Sequence, residues 1–256
     1  MFDRVYTDPL ELKLMYQETK RTTPRAWMFA VVITALILVG TASAGTTTYS
    51  SVQKSKWASC TTCAGKNGSG PTATYSQTLF IASPSMTGAA AKFSLGGTKP
   101  YANALWWKQL GANSGATNFK YDVYFYLKNP SAAQALEFDV NQSVGGHKYI
   151  FGTECNIKGS HTWRVWSAAT SWVSTGIPCG VPAAYKWHHV TLQFKRANGR
   201  VNFVSVTMDG KTSYINRSYA PKSSGVNELN VAFQMDGNGT MVDYEAWLDR
   251  VSLTAW

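Results

Sequence analysis

The sequence predicts an all-β protein in which antiparallel strands form a sandwich or a barrel. Segments with period-two alternation of apolar and polar residues recur from Ala104 onward, and Gly, Asn and Pro turns separate them. No ten-residue stretch after Gly45 has clear helical periodicity. With 45% hydrophobic and 13% aromatic residues, the chain is long enough to bury one large core. We therefore expect a single β-domain over residues 45–256.

Residues 1–44 are predicted to be a secretory signal peptide. Basic residues precede the apolar run "WMFAVVITALILVG" at 27–40, and "TASAG" supplies small residues for cleavage after Ala44. The run has 14 residues, fewer than the about 20 that span a bilayer. An uncleaved anchor is the alternative. The mature protein is expected to be secreted or extracytoplasmic, with no stable membrane span.

Residues 45–256 contain 19 Lys and Arg against 10 Asp and Glu. The positive charges are spread along the chain without a block of consecutive Lys or Arg, so nucleic acid is not an expected partner. A solvated basic surface is the preferred interpretation, and weak attraction to anionic glycans is the alternative.

All four cysteines lie in the exported part, and their even number favours disulfides. Proximity along the chain favours the pairs Cys60–Cys63 and Cys155–Cys179. The spacing in "SCTTC" is also that of half a zinc site or of a redox pair, but the sequence has no second CxxC and no His nearby.

The elements can be assigned in order. Residues 45–103 are rich in Thr, Ser, Gly and Ala, which predicts an extended entry with short strands. In "NFKYDVYFYL" at 118–127, alternation directs Tyr124 and Tyr126 outward. The residues that it directs to the core are Phe119, Tyr121, Val123, Phe125 and Leu127. Four further strands are predicted at 189–196, 201–210, 228–235 and 246–256.

The stretch "ALEFDVNQ" at 135–142 has a polar outward row of Glu137, Asp139 and Asn141. It is followed by "SVGG" and "HKYIFGTEC", which predicts a hairpin with a four-residue loop. This register pairs Gln142 with His147. It places Gly152 opposite Glu137 and Glu154 diagonal to it, leaving a shallow groove where Gly152 has no side chain.

At this point the chain resembles the concanavalin A-like lectin and glucanase superfamily. The segment "WHHVTLQFKR" is similar to laminin-G-like strands, and "ALWWKQLGA", "IFGTECN" and "NVAFQMDG" resemble exported bacterial members over residues 57–256. The resemblance implies a jelly-roll β-sandwich of two curved antiparallel sheets, with ligands on the concave face or at its rim.

Laminarinases and lichenases of this superfamily carry Glu-x-Asp-x-Glu or Glu-x-Asp-x-x-Glu on one strand, with the first Glu as nucleophile and the last as acid/base. Glu137 and Asp139 match the first two positions, but Asn141 and Gln142 occupy both positions of the acid. Because an amide cannot protonate a glycosidic oxygen, this strand alone does not supply a retaining mechanism. Glu154 on the neighbouring strand is the candidate replacement.

Aromatic and planar polar side chains are the usual ligands of sugars. For the tryptophans, the alternative role is packing in the core, and for Arg164 it is stacking at the surface. If Arg164 instead binds a carboxylate, it would suit a uronic acid. The predicted carbohydrate-binding residues are Glu137, Asp139, Asn141, Glu154, Tyr124, Tyr126, Trp107, Arg164, Trp166 and Gln234.

No metal site or cofactor is predicted. His188 and His189 are adjacent on a strand and point to opposite faces, and no HExxH spacing is present. The "MDGNG" segment is interpreted as a hairpin turn, with calcium as the alternative because the superfamily often binds it. P-loop, Rossmann and nucleophile-elbow patterns are absent from the sequence.

The sequence therefore predicts an exported, lectin-like protein that binds a polysaccharide or other glycan. The alternative is an enzyme, a glycoside hydrolase or polysaccharide lyase, using Glu137 with Glu154 and with Asp139 assisting. The third hypothesis is a structural or adhesive envelope protein. The sequence does not specify the glycan or the oligomeric state.

Overall fold

The computed structural model describes residues 45–61, 63 and 71–256, so the predicted signal peptide lies outside the described residues. In the described part, no helix is both long enough and apolar enough to cross a membrane. Its strands are β1 (Thr47–Tyr49), β2 (Ala58–Cys60), β3 (Thr74–Ile81), β4 (Ala90–Gly96), β5 (Asn103–Gln109), β6 (Asn118–Leu127), β7 (Ala133–Val144), β8 (His147–Phe151), β9 (Thr153–Cys155), β10 (Thr162–Ser167), β11 (Ser171–Pro178), β12 (Lys186–Ala197), β13 (Arg200–Met208), β14 (Lys211–Tyr219), β15 (Lys222–Ser223), β16 (Glu228–Gly237) and β17 (Tyr244–Ala255). Within these described ranges, 3-10 turns lie at Val52–Lys54 and Pro130–Ala132.

The strands form two antiparallel sheets. Sheet A has the order β14-β13-β12-β6-β17-β4-β3, with β1 beside β17. Sheet B has the order β11-β10-β9-β7-β16-β5-β2, with β8 beside β7 and β15 beside β8. The predicted all-β jelly-roll sandwich is confirmed.

The core lies between the inward faces of the two sheets. Phe125 of sheet A contacts Phe138 of sheet B with 5.7 Å between ring centroids, and Phe119 contacts Phe151 at 5.4 Å. These side chains are the ones that alternation assigned to the core, because successive residues of a strand face opposite sides. Trp106 is likewise buried, which leaves its neighbour in the sequence facing outward.

The hairpin between β7 and β8 is tighter than predicted. Its turn consists of Gly145 and Gly146, with φ of 59° and 79°, and glycine adopts this left-handed pair of conformations at little cost. Gln142 therefore pairs with Tyr149 and not with His147. The predicted register is wrong by two residues, which leaves every side chain on its predicted face.

The two-residue shift changes which residues meet on the outward face. Glu137 lies directly opposite Glu154 and not diagonal to it. Gly152, whose ideal Cβ would lie 3.5 Å from Asp139 Oδ1, is beside Asp139 and not opposite Glu137. The two glutamates are thus closer than the sequence predicted.

Both predicted disulfides are present. Cys60 is bonded to Cys63, and Cys155 is bonded to Cys179. The second bond ties β9 to the residue that follows β11. It therefore holds together the edge of sheet B that includes β10.

Candidate functional site

A cleft of about 1140 Å³ lies on the outward face of sheet B. Trp107 on β5 lines one side, and Trp166 on β10 lines the other beside Trp172 on β11. The indoles of Trp166 and Trp172 meet edge to face with 5.5 Å between their ring centroids. All three rings are partly exposed, so they are available to a ligand.

Three strands bring acidic side chains together in this cleft. Glu137 on β7 faces Glu154 on β9 on one side and Gln234 on β16 on the other. Asp236 follows two residues after Gln234 and therefore points the same way. Carboxylate oxygens of Glu137, Glu154 and Asp236 all lie within 4.8 Å of one another. We refer to these three residues with Asp139 as the carboxyl cluster.

Two side chains supply hydrogen-bond donors to the cluster. Arg164 on β10 forms an ion pair with Glu154. The Gln234 Nε2 group donates to Glu137 Oε1 and, at 2.9 Å, to Asp236 Oδ1. Because one guanidinium is shared among four carboxyl groups, the cluster retains excess negative charge if all of them ionise.

Burial is the main cause of the altered acidity of the cluster. Glu137, Asp139 and Glu154 are only 6%, 8% and 1% exposed. Loss of hydration raises the pKa of Asp139 to about 7 and that of Glu154 to about 8, and the charge of Asp236 raises the pKa of both further. Burial also raises the pKa of Asp236 to about 7 and that of Glu137 well above its usual value. Part of the cluster is therefore protonated near neutral pH.

The remaining polar residues of the β7 row have defined partners. Asp139 Oδ1 accepts a hydrogen bond from the Thr153 backbone N–H at 3.1 Å, which favours its ionised form. Asn141 Nδ2 donates to Asn230 Oδ1 at 3.1 Å. These contacts orient the two side chains without closing the cleft above them.

Gly152 lines the cleft with the polar residues predicted around it, but neighbouring side chains surround it closely. A Cβ atom at Gly152 would lie 2.9 Å from Trp166 Cβ and 3.5 Å from the Trp172 ring. Because Gly152 has no side chain, β10 and its Trp166 can lie close to this position. The open part of the cleft is therefore beside these rings.

The structure brings eight of the ten predicted carbohydrate-binding residues to one cleft. They are Glu137, Asp139, Asn141, Glu154, Trp107, Arg164, Trp166 and Gln234. Tyr124 and Tyr126 are elsewhere, on the outward face of sheet A, because β6 belongs to that sheet. There Tyr124 stacks on His189 with 4.0 Å between ring centroids, and Tyr126 packs against Trp187 and Trp247.

Sequence reasoning did not assign Asp236 to this site. The residue was interpreted as part of a turn, whereas β16 continues to Gly237 and carries Asp236 into the cluster. Extending the alternation of "ELNVAFQM" by one more outward position would have found it. Trp172, Lys148 and Lys222 also line the cleft, and no spacing signal in the sequence connects them.

Glu137, Glu154 and Asp236 are oxygen ligands of the kind that Ca²⁺ and Mg²⁺ prefer. However, Arg164 and the Gln234 amide already neutralise or bind these oxygens, so the cluster does not by itself specify a metal. In the "MDGNG" segment, Asn238 Oδ1 accepts bonds from Thr240 and from the backbone of Met241. The Asn238 side chain therefore stabilises the turn through these hydrogen bonds.

No family model and no curated protein matches the chain. Several solved structures are similar to this chain. They include an endo-β-1,4-glucuronan lyase from the fungus Trichoderma reesei (13% identity, 70% of this chain and 86% of that chain, TM-score 0.46). A mutant alginate lyase in complex with alginate trisaccharide has 12% identity over 80% and 97% of the chains, with a TM-score of 0.48. Arcelin-5, a lectin-like defence protein from Phaseolus vulgaris, has 10% identity over 82% and 98%, with a TM-score of 0.47. At this level of similarity, no activity transfers to this chain.

Proposed function

We propose that the protein binds a polysaccharide in the cleft on the outward face of sheet B. The observation that carries the proposal is the combination, in one open cleft, of three partly exposed tryptophans with planar acid, amide and guanidinium groups. Sugars place their C–H faces on aromatic rings and direct their hydroxyls to such planar groups. Two disulfides support the accompanying proposal that the protein is exported.

Binding is preferred over catalysis because of how the carboxyl groups are held. Glu154 is 1% exposed and paired with Arg164, and Glu137 accepts a bond from Gln234. A glycosidase needs a proton donor that contacts the leaving oxygen. Glu154 lines the cleft, but its pairing with Arg164 competes with proton donation to a leaving oxygen.

A glycan array with the purified protein, followed by isothermal titration of the best ligand, tests the proposal. We expect micromolar to millimolar binding of an oligosaccharide, and loss of binding in the double variant Trp107→Ala/Trp166→Ala. Tyr126→Ala, on the other sheet, is the matched aromatic control. Absence of binding across neutral and charged glycans would refute the proposal.

A glycoside hydrolase is the second candidate, favoured by the direct pairing of Glu137 with Glu154. One carboxylate oxygen of Glu137 lies within 4.8 Å of one of Glu154, which is compatible with the paired carboxyl groups of a retaining enzyme. The raised pKa of Glu154, caused mainly by burial, keeps a proton available at neutral pH. Asp236 supplies a further carboxyl group beside the pair.

Detection of new reducing ends distinguishes the two candidates. Incubation of each polysaccharide that binds should release none if the cleft only binds. Release of reducing ends without an unsaturated sugar product, lost in both Glu137→Gln and Glu154→Gln with binding retained, would establish the hydrolase instead, because a lyase leaves a double bond at the new non-reducing end. Glu245→Gln on sheet A serves as the control for an acidic residue outside the cleft.

A further inference from the structure

Two lysines lie side by side at one end of the cleft. Lys148 on β8 is directly opposite Lys222 on β15, and both line the cleft. Residues opposite each other in an antiparallel pair have Cβ atoms about 4.5–5.5 Å apart, so like charges there repel. Among the described residues, neither ammonium group has a carboxylate within 4.0 Å. The repulsion is therefore uncompensated by an ion pair within this part of the chain.

An aromatic ring adjoins the lysine pair. Lys222 Nζ lies 5.6 Å from the centre of the Trp166 ring, and Trp166 lines a small depression together with Ile150 and both lysines. This end of the cleft thus combines an apolar ring surface with two positive charges. We call Lys148, Lys222 and Trp166 the basic end.

The rest of the cleft has the opposite charge. The carboxyl cluster lies on β7, β9 and β16. Its member Asp139 adjoins Gly152, and the charge of Lys148 partly offsets the rise in the pKa of Asp139. A negatively charged ligand group is repelled by the cluster and attracted by the lysines. Among the described residues of the cleft, the groups that attract an anionic sugar unit are the lysine pair and Arg164, and Arg164 is already paired with Glu154.

We propose that the basic end is a subsite for a negatively charged sugar unit, one that carries a carboxylate or a sulfate ester. The sugar ring stacks on Trp166, and its acidic group lies between Lys148 and Lys222, where it relieves their repulsion. This inference rests on the proposed function and narrows its ligand class to anionic polysaccharides. Lysine suits this role as a point charge that does not require one fixed acid geometry.

The test uses two pairs of polymers that differ only in charge. The purified protein is titrated with polygalacturonate and its methyl-esterified form, and with dextran sulfate and dextran, at low and at physiological salt. We expect the charged member of at least one pair to bind ten-fold or more tightly than its neutral counterpart. The pair that shows the difference identifies the acidic group as a carboxylate or a sulfate.

The variant Lys148→Gln/Lys222→Gln should lose at least ten-fold in affinity for the charged polymer and show a weaker salt dependence. Its affinity for the neutral polymer should fall much less than its affinity for the charged polymer. Lys148→Arg/Lys222→Arg, which keeps the charges, should retain most of the binding. Lys195→Gln, an exposed lysine on β12 of sheet A, controls for general attraction of polyanions to a basic protein.

Each contrary outcome has a distinct meaning. Equal binding of charged and neutral polymers, with no effect of the glutamine variants, overturns this inference and leaves the proposed function standing. Equal losses in Lys195→Gln and in the cleft variant also overturn it, because the attraction is then non-specific. If neither these polymers nor any glycan of the array binds, the proposed function fails and the inference fails with it.

Discussion

The clearest chemical consequence of the fold is the raised pKa of individual carboxyl groups in the cleft. Outward-facing residues of a sheet are ordinarily hydrated, but Glu137, Asp139 and Glu154 are nearly buried because side chains of neighbouring strands cover them. Their ionisation is disfavoured by lost hydration and by mutual repulsion. The folded protein therefore holds protons that the unfolded chain releases.

The first prediction is that stability falls as pH rises from about 4 to about 8. The folded pKa values of Asp139 and Asp236, about 7, and of Glu154, about 8, exceed the ordinary values of 3.8, 3.8 and 4.5, mainly because of burial. Folding takes up protons in this window, so higher pH favours the unfolded state. The melting temperature should be several degrees lower at pH 8 than at pH 5. Glu154→Gln should flatten this dependence, whereas an equal slope in that variant would contradict the assignment; Glu245→Gln is the control.

The second prediction concerns Gly152. Alanine there would place its Cβ 2.9 Å from Trp166 Cβ, an atom held by the backbone of β10. We expect Gly152→Ala to reduce the free energy of unfolding by about 1–3 kcal/mol through overpacking and to weaken glycan binding by displacing Trp166. Chemical denaturation and titration measure the two effects. Gly225→Ala, where a Cβ meets no atom within 4 Å, should change neither.

Among the elements, β9, β10 and β11 form one edge of sheet B and line one side of the cleft. Glu154, Arg164 and Trp172 come from these three strands in turn. The bond between Cys155 and Cys179, which are 24 positions apart, closes a segment that contains Arg164 and Trp172 and begins next to Glu154. It limits the freedom of this segment in the unfolded chain, which stabilises the folded edge.

The third prediction is that Cys155→Ala/Cys179→Ala lowers the free energy of unfolding by about 3 kcal/mol, the value expected for a loop of this length. Cys60→Ala/Cys63→Ala, which opens a link between residues only three apart, should have a smaller effect. Urea denaturation measures both. Non-reducing peptide mapping should recover the Cys155–Cys179 peptide, and four free thiols in the native protein would contradict the assignment.

At the scale of the whole molecule, the outward faces of the two sheets lie on opposite sides of the core. Sheet B carries the cleft, whereas sheet A carries Tyr124, Tyr126 and Trp187. Two residues that alternation assigns to outward faces can thus lie on opposite sides of the core. Binding in the cleft should be insensitive to changes on sheet A.

The fourth prediction follows from this separation. Trp107→Ala should weaken glycan binding by about 1–2 kcal/mol, a factor of roughly 5–30, because it removes a partly exposed ring from the cleft. Tyr124→Ala should leave binding unchanged. Isothermal titration with the same glycan compares them, and melting curves confirm that both variants are folded. Stronger loss in Tyr124→Ala would move the binding site to sheet A.

The sequence alone determined which side of its strand each residue faces, because alternation is a local property of extended backbone. It assigned Phe138 to the core and Glu137 outward, and it correctly paired the cysteines. It also placed Glu154 on the same face as Glu137 although the register was wrong by two residues, since an even shift preserves the face.

Only the tertiary structure decided which sheet each strand joins. Tyr124 and Glu137 both face outward by alternation, yet β6 lies in sheet A and β7 in sheet B, so they cannot share a ligand. Gln234 and Asp236 reach the carboxyl cluster because β16 pairs with β7, although Gln234 is 97 residues from Glu137 in the sequence. Strand order depends on such long-range pairings, which no local periodicity encodes. The acidity of the cluster follows from the same cause, because burial exists only once the strands have assembled.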